Sequence, residues 1–105
     1  MKPELWAHIL TPAERADLGG WEGLAAADVA SVVYGAKEAF YKCQHALTRE
    51  WLDFADVVIR CSARRFEVHP QRPLALEAFA PAPWIGRFAM TPDLVVAGIA
   101  IAALV

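Results

Sequence analysis

Residues 29–47 read VASVVYGAKEAFYKCQHAL, and their apolar positions return every three or four residues. The recurring side chains are Val29, Val32, Val33, Ala36, Phe40, Cys43 and Leu47. This spacing places them on one face of an α-helix. It predicts a motif helix over about residues 29–47, the longest helix of the chain.

The middle of this helix carries Lys37, Glu38 and Lys42 within six residues. Glu38 and Lys42 are four residues apart, so their side chains share a face. A carboxylate can bind a metal cation and a neighbouring ammonium can bind a phosphate, and enzymes of phosphoryl-type transfer use both kinds of group. A Glu–Lys pair at this spacing is also a common stabilising pair on solvated helices. The spacing alone leaves both interpretations open.

The composition indicates one small folded domain over residues 1–105. Hydrophobic residues make up 57% of the chain, which excludes a disordered tail and is high for a small free-standing domain. We therefore expect part of the apolar surface to face a partner. The net charge of −2, with both signs mixed, gives no support to nucleic-acid binding.

The cysteines and the two terminal segments of the chain indicate its cellular compartment. Cys43 and Cys61 lack a CxxC or other metal-type spacing, which favours reduced thiols in the cytoplasm. We expect no signal peptide, because the first residues lack an apolar h-region. The apolar run over residues 94–105 is shorter than the roughly 20 residues that span a bilayer, so we expect a buried strand and no membrane partner.

A shorter helix is predicted upstream of the motif helix. Thr11 suits its N-cap, Pro12 its first position, and Glu14 completes a capping box. Gly19-Gly20 is expected to end this helix after about two turns. Asp28 is a candidate cap for the motif helix.

The second half of the chain is typical of β-strands. The predicted strands cover about residues 52–61, 65–69, 86–90 and 94–102, and residues 74–79 are a candidate short strand within a long proline-rich loop. We expect a bulge near Ala55-Asp56 and a hairpin turn at Thr91-Pro92-Asp93. The order predicts an α+β fold in which two helices pack on one face of a mostly antiparallel sheet of three to four strands.

Residues 34–42 resemble the second signature of the 4'-phosphopantetheinyl transferases. That signature is an aromatic residue, a small residue, any residue, Lys-Glu, and a Lys four after the Glu. Residues 51–56 resemble the segment just downstream of this signature in the enterobactin and surfactin type. Residues 9–15 resemble the segment upstream, and residues 86–88 with the closing hairpin resemble the end of the domain. The resemblance covers nearly the whole chain, in the right order.

Family members of this type are about twice as long and consist of two similar halves with the active site between them. The first half carries a Gly-x-Asp signature, and none stands upstream of residue 34 here. The resemblance therefore implies that the single domain over residues 1–105 corresponds to the C-terminal half of such a pseudo-dimer. Its apolar face is expected to meet an N-terminal half or another copy of the chain.

The resemblance implies transfer of the 4'-phosphopantetheine arm of coenzyme A to a serine of an acyl or peptidyl carrier protein, with Mg²⁺ stabilising phosphate charge. Glu38 matches the family's metal-binding Glu, and Lys42 matches the lysine that meets the coenzyme A phosphates. These two are the candidate catalytic residues, and Lys37 is a companion of Lys42 in cofactor binding. One carboxylate is a poor Mg²⁺ site without coenzyme, so the isolated chain is expected to catalyse little or nothing.

Two other interpretations stay open. The first is a non-catalytic interaction module of the same fold, whose apolar surplus forms a protein–protein face. Binding of coenzyme A with Mg²⁺ favours the transferase, whereas a stable dimer that binds no coenzyme favours the module. The second is a complete small enzyme that builds its site between subunits, as the short trimeric class of the family does. Asp53 and Asp56 are further candidate ligands, although carboxylates before a strand are commonly turn formers.

Overall fold

The computed structural model describes residues 3–17, 25–62, 64–91 and 94–100. The helices in these ranges are α1 (Trp6–Ile9), α2 (Pro12–Ala16) and α3 (Ala26–Thr48). The strands are β1 (Val57–Ser62), β2 (Arg65–Pro70), β3 (Trp84–Thr91) and β4 (Leu94–Ile99). Short 3₁₀ turns cover Pro3–Leu5, Phe54–Asp56 and Ala75–Ala78.

The four strands form one antiparallel sheet in the order β1-β2-β3-β4. Helix α3 packs across one face of this sheet, and the ring of its Phe40 stacks on Trp84 of β3 with centroids 5.2 Å apart. The predicted α+β class, with helices on an antiparallel sheet, is confirmed. None of the helices in the described ranges combines the length and apolar character that a membrane crossing needs.

Helix α3 extends slightly beyond the predicted residues 29–47 at both ends. Ala25, and not Asp28, occupies its N-cap, so that part of the prediction is wrong. Asp28 lies in the first turn, where a negative charge suits the helix dipole. At the other end Arg49 adopts the left-handed conformation, with φ of 59°. The buried Gln44 amide donates to the carbonyl of Glu50 at 2.9 Å, and these contacts turn the chain back along the helix.

Helix α2 has the predicted capping box. The backbone N–H of Glu14 donates to the Thr11 hydroxyl at 3.1 Å, and that of Thr11 donates to the Glu14 carboxylate at 2.8 Å. The helix ends at Ala16, which is earlier than predicted, and Gly19-Gly20 lies outside the described residues. Glu14 also accepts the N–H of Ile59 at 2.6 Å, so its carboxylate protects the outer edge of strand β1.

Two predicted extended segments are wrong. Residues 54–56 form a 3₁₀ turn, so β1 begins at Val57 and pairs without a bulge. Residues 75–78 form a second 3₁₀ turn in place of a short strand. Of the predicted hairpin turn, Pro92 and Asp93 lie outside the described residues, and β3 and β4 pair antiparallel on either side of them.

Candidate active site

Helix α3 presents Glu38 and Lys42 on its exposed face, one turn apart. No ion pair joins them, and among the described residues Lys42 has no bonding partner. The Tyr34 hydroxyl instead donates to Oε1 of Glu38 at 2.8 Å. This hydrogen bond, with the negative charge of Glu38, raises the pKa of the Tyr34 phenol. The Lys42 ammonium is therefore available for an anionic ligand.

Lys37 lies on the buried side of the same helix and is only 3% exposed. Its ammonium lies 2.7 Å from Oε1 of Glu14 and donates to the carbonyls of Ile9 and Phe54. These contacts use all the donors that an ammonium has. Burial lowers the pKa of Lys37, and the contact with Glu14 opposes that shift. The structure thus brings Glu38 and Lys42 together on the exposed face of α3, whereas the Lys37 ammonium is turned inward to Glu14.

The burial of Lys37 has a signal in the sequence. Position 37 follows Val33 by four residues and precedes Phe40 by three, which places it within the apolar stripe of the helix. Position 38 is turned about 100° further round the helix and falls outside that stripe. The sequence does not reveal that Glu14 is the ion-pair partner of Lys37. Its role in the capping box of the shorter helix already accounts for a glutamate at position 14.

Residues 51–57 run back along α3 and form with it an open pocket of ≈ 440 Å³. Its walls are mostly apolar and include Phe40, Tyr41, Trp51, Leu52, Phe54 and Val57. Glu38, Lys42 and Asp53 line the same pocket, and so does Lys37, although its ammonium is held by Glu14 and two backbone carbonyls. Trp51 is 78% exposed and Phe54 is 40% exposed, so much aromatic surface faces solvent here. An apolar pocket with a few converging polar groups is typical of a small-molecule site.

An aromatic cluster supports the Trp51 side of this pocket. The ring of His45 stacks on Tyr41, with centroids 5.4 Å apart, and lies 5.0 Å from Trp51. The sequence pattern does not assign Trp51 to a site. Its sequence signal is that it begins residues 51–56, the segment that resembles the stretch just downstream of the signature.

The side chains that could act as metal ligands near this pocket are few. Within the described ranges, no group of three or more His, Cys, Asp or Glu side chains could hold a metal ion. Asp56 is engaged by Arg72 at 3.2 Å. Burial raises the pKa of Asp56, but the N–H of Asp53 and the Arg72 guanidinium outweigh it and lower that pKa overall. Glu38 therefore offers an exposed carboxylate, and Asp53 lies nearby.

This arrangement fits a hard cation that a phosphorylated ligand shares. Mg²⁺ is commonly bound by one or two carboxylates together with substrate phosphates and water. The Glu38 carboxylate has one oxygen bonded to Tyr34, and the described residues give Oε2 no such bond. The neighbouring Lys42 adds a positive charge suited to phosphate oxygens.

Comparison with known proteins identifies a family for this chain. A family model of the 4'-phosphopantetheinyl transferase superfamily matches residues 1–91, which include helices α1, α2 and α3 and both Glu38 and Lys42. Neither the curated proteins nor the solved structures give a significant match. The matched stretch covers most of the chain, and the chain therefore belongs to the 4'-phosphopantetheinyl transferase superfamily.

Proposed function

We propose that this chain takes part in transferring the 4'-phosphopantetheine arm of coenzyme A to a serine of an acyl or peptidyl carrier protein. One observation carries the proposal. An exposed carboxylate, Glu38, and an exposed ammonium without a partner among the described residues, Lys42, lie together at an apolar pocket of ≈ 440 Å³. Membership of the superfamily supports the class of reaction.

In this reaction the serine hydroxyl gives up its proton to a base and its oxygen attacks the β-phosphorus of coenzyme A, the bond from that phosphorus to the bridging oxygen breaks, and 3',5'-ADP leaves with the bridging oxygen. The barrier comes mainly from negative charge on the phosphate oxygens. Glu38 would hold Mg²⁺, which supplies charge stabilisation when it is bound. Lys42 would bind a phosphate oxygen beside it with a charge-assisted hydrogen bond.

The apolar walls of the pocket suit the uncharged arm of coenzyme A better than its phosphates. Trp51 and Phe54 offer aromatic surface, and Glu38 and Lys42 supply the charged groups for the pyrophosphate. Pockets of this volume are typical of small-ligand sites. The proposed orientation therefore places the phosphates by Glu38 and Lys42 and the arm against the aromatic wall.

The small number of metal-ligating side chains at the pocket suggests a protein partner. Because the described residues hold no metal cluster of their own, we propose that a second polypeptide supplies further ligands. An N-terminal half of the enzyme or another copy of this chain could fill that role across the apolar face. The two free cysteines, Cys43 and Cys61, support a cytoplasmic setting. Neither nucleic acid nor a membrane is part of the proposal.

The test is Glu38→Gln, assayed with whatever polypeptide completes the site. The neutral amide keeps the shape and loses the charge, so transfer of a labelled arm at saturating Mg²⁺ should fall by about 100-fold or more. Glu67→Gln is the matched control, because Glu67 lies on the sheet face opposite α3 and should leave transfer unchanged. Activity of Glu38→Gln within about threefold of wild type, less than ~1 kcal/mol of barrier, contradicts the assigned role.

A binding measurement separates this proposal from the interaction-module interpretation. Calorimetry should show coenzyme A binding that strengthens in the presence of Mg²⁺. A protein that forms a stable dimer and binds no coenzyme would instead support the non-catalytic module.

A further inference from the structure

The phenol of Tyr34 lies one helical turn before Glu38, and its hydroxyl donates to Oε1 of that carboxylate at 2.8 Å. We propose that Tyr34 is a positioning residue that holds the Glu38 carboxylate so that it offers a cation one oxygen. This inference rests on the proposed function, in which Glu38 binds Mg²⁺.

An exposed glutamate needs such a support. Its side chain has several rotatable bonds, and fixing them on cation binding costs conformational entropy. Tyr34 and Glu38 are four residues apart, so their side chains meet on the helix surface without distortion. The hydrogen bond engages Oε1 before any ligand arrives and leaves Oε2 for the cation.

Tyr34 is itself held from outside the helix. Its ring packs on that of Phe54, with centroids 6.0 Å apart. The backbone carbonyl of Phe54 accepts from the buried Lys37 ammonium, which is paired with Glu14. A continuous set of contacts thus runs from the buried ion pair, through Phe54 and Tyr34, to the exposed carboxylate.

The geometry has a consequence for cation selectivity. Ca²⁺ accepts bidentate carboxylates in a flexible shell of six to eight oxygens, whereas Mg²⁺ requires a nearly ideal octahedron. A carboxylate with one oxygen engaged by Tyr34 is a monodentate ligand, which suits Mg²⁺. Removing the Tyr34 hydroxyl frees both oxygens, and the preference should shift toward Ca²⁺.

Tyr34→Phe is the test, because it keeps the ring against Phe54 and removes only the hydroxyl. Binding of Mg²⁺ and of Ca²⁺ is measured by calorimetry with coenzyme A and the polypeptide that completes the site present, alongside transfer as a function of Mg²⁺ concentration. We expect the Mg²⁺ dissociation constant to rise about five- to tenfold, as the loss of one hydrogen bond to a charged group allows. The Ca²⁺ constant should stay within about twofold, and kcat at saturating Mg²⁺ should be nearly unchanged.

Ser31→Ala is the matched control. It removes a hydroxyl from the same helix, one that donates to the carbonyl of Ala27 at 3.1 Å, and should leave both cation constants unchanged. An unchanged Mg²⁺ constant in Tyr34→Phe, with or without a loss of thermal stability, overturns the inference. If Glu38→Gln still abolishes transfer in that case, the proposed function stands. If wild type, with coenzyme A and the polypeptide that completes the site, binds no Mg²⁺, the inference and the proposed function fail together.

Discussion

At the scale of single residues, two lysines of one short motif have different environments. Lys37 is buried against Glu14, whereas Lys42 is exposed and has no partner among the described residues. The cause is the helical period, since position 37 falls in the apolar stripe of α3 and position 42 does not. A lysine in that stripe is tolerated because its ammonium has a buried carboxylate and two carbonyls as partners.

Matched substitutions at the two lysines should therefore affect different properties, folding stability for Lys37 and coenzyme A binding for Lys42. Lys37→Met leaves the Glu14 carboxylate buried and unpaired, and we expect it to lower the free energy of unfolding by about 3–5 kcal/mol. Lys42→Met should change that free energy by less than about 0.5 kcal/mol. It should instead weaken coenzyme A binding about ten- to hundredfold through loss of a charge-assisted phosphate contact.

Urea denaturation and calorimetric titration of coenzyme A at fixed Mg²⁺ measure the two effects. Each lysine serves as the control for the other, since both changes remove one positive charge from the same helix. Unchanged coenzyme affinity in Lys42→Met would return Lys42 to the role of a solvated surface charge.

The local pattern of the sequence is sufficient to place Glu38 and Lys42 on an exposed helix face. It is not sufficient to find the Glu14–Lys37 pair, because these residues come together only when α2 and residues 54–56 pack against α3. The same holds for the contact between Tyr34 and Phe54, whose rings are brought together by the returning chain. Side chains that depend on tertiary packing are therefore the ones that the sequence does not place.

At the scale of elements, the close contact between β2 and β3 depends on one glycine. Phe66 and Gly86 are direct partners across these strands, and Phe66 is fully buried. A Cβ added at Gly86 would lie 2.1–2.6 Å from atoms of the Phe66 ring. The ring therefore occupies the space that a side chain at position 86 would need.

Gly86→Ala should be strongly destabilising for this reason. Overpacking of a core typically costs about 1–3 kcal/mol, and we expect the upper part of that range because the ring has no free space to enter. Gly98→Ala is the control, since a Cβ there meets nothing within 4 Å. Denaturant midpoints of the two variants give the comparison, and equal losses in both would contradict the packing argument.

The elements predicted correctly are those with a strong local period. Helix α3 and the pairing of β3 with β4 follow from apolar spacing and an intervening turn signal. The errors at residues 54–56 and 75–78 share another cause. In each, a carboxylate accepts the backbone N–H of the residue three before it, from Asp53 to Asp56 and from Leu74 to Glu77. Such bonds compete with strand pairing, and short apolar runs do not reveal them.

At the scale of the whole molecule, the pocket side of α3 is the face where a second polypeptide is expected. Glu38 lies here without a group of three or more metal-ligating side chains among the described residues, and this is also where Trp51 and Phe54 expose aromatic surface. Exposed apolar surface beside polar groups is typical of an interaction site. The same face would then bind coenzyme and partner together.

We accordingly expect the isolated chain to self-associate through this face. Sedimentation velocity over a concentration series should show a rising average mass. Trp51→Ser should weaken association at least about tenfold, because a large aromatic side chain dominates the contact energy of an interface. Ile85→Ser removes another exposed apolar side chain, 38% exposed on the sheet face opposite α3, and should have little effect. A monomer at every concentration, or equal effects of the two substitutions, would contradict an interface at the pocket. The exposed Trp51 would then be accounted for by ligand binding alone.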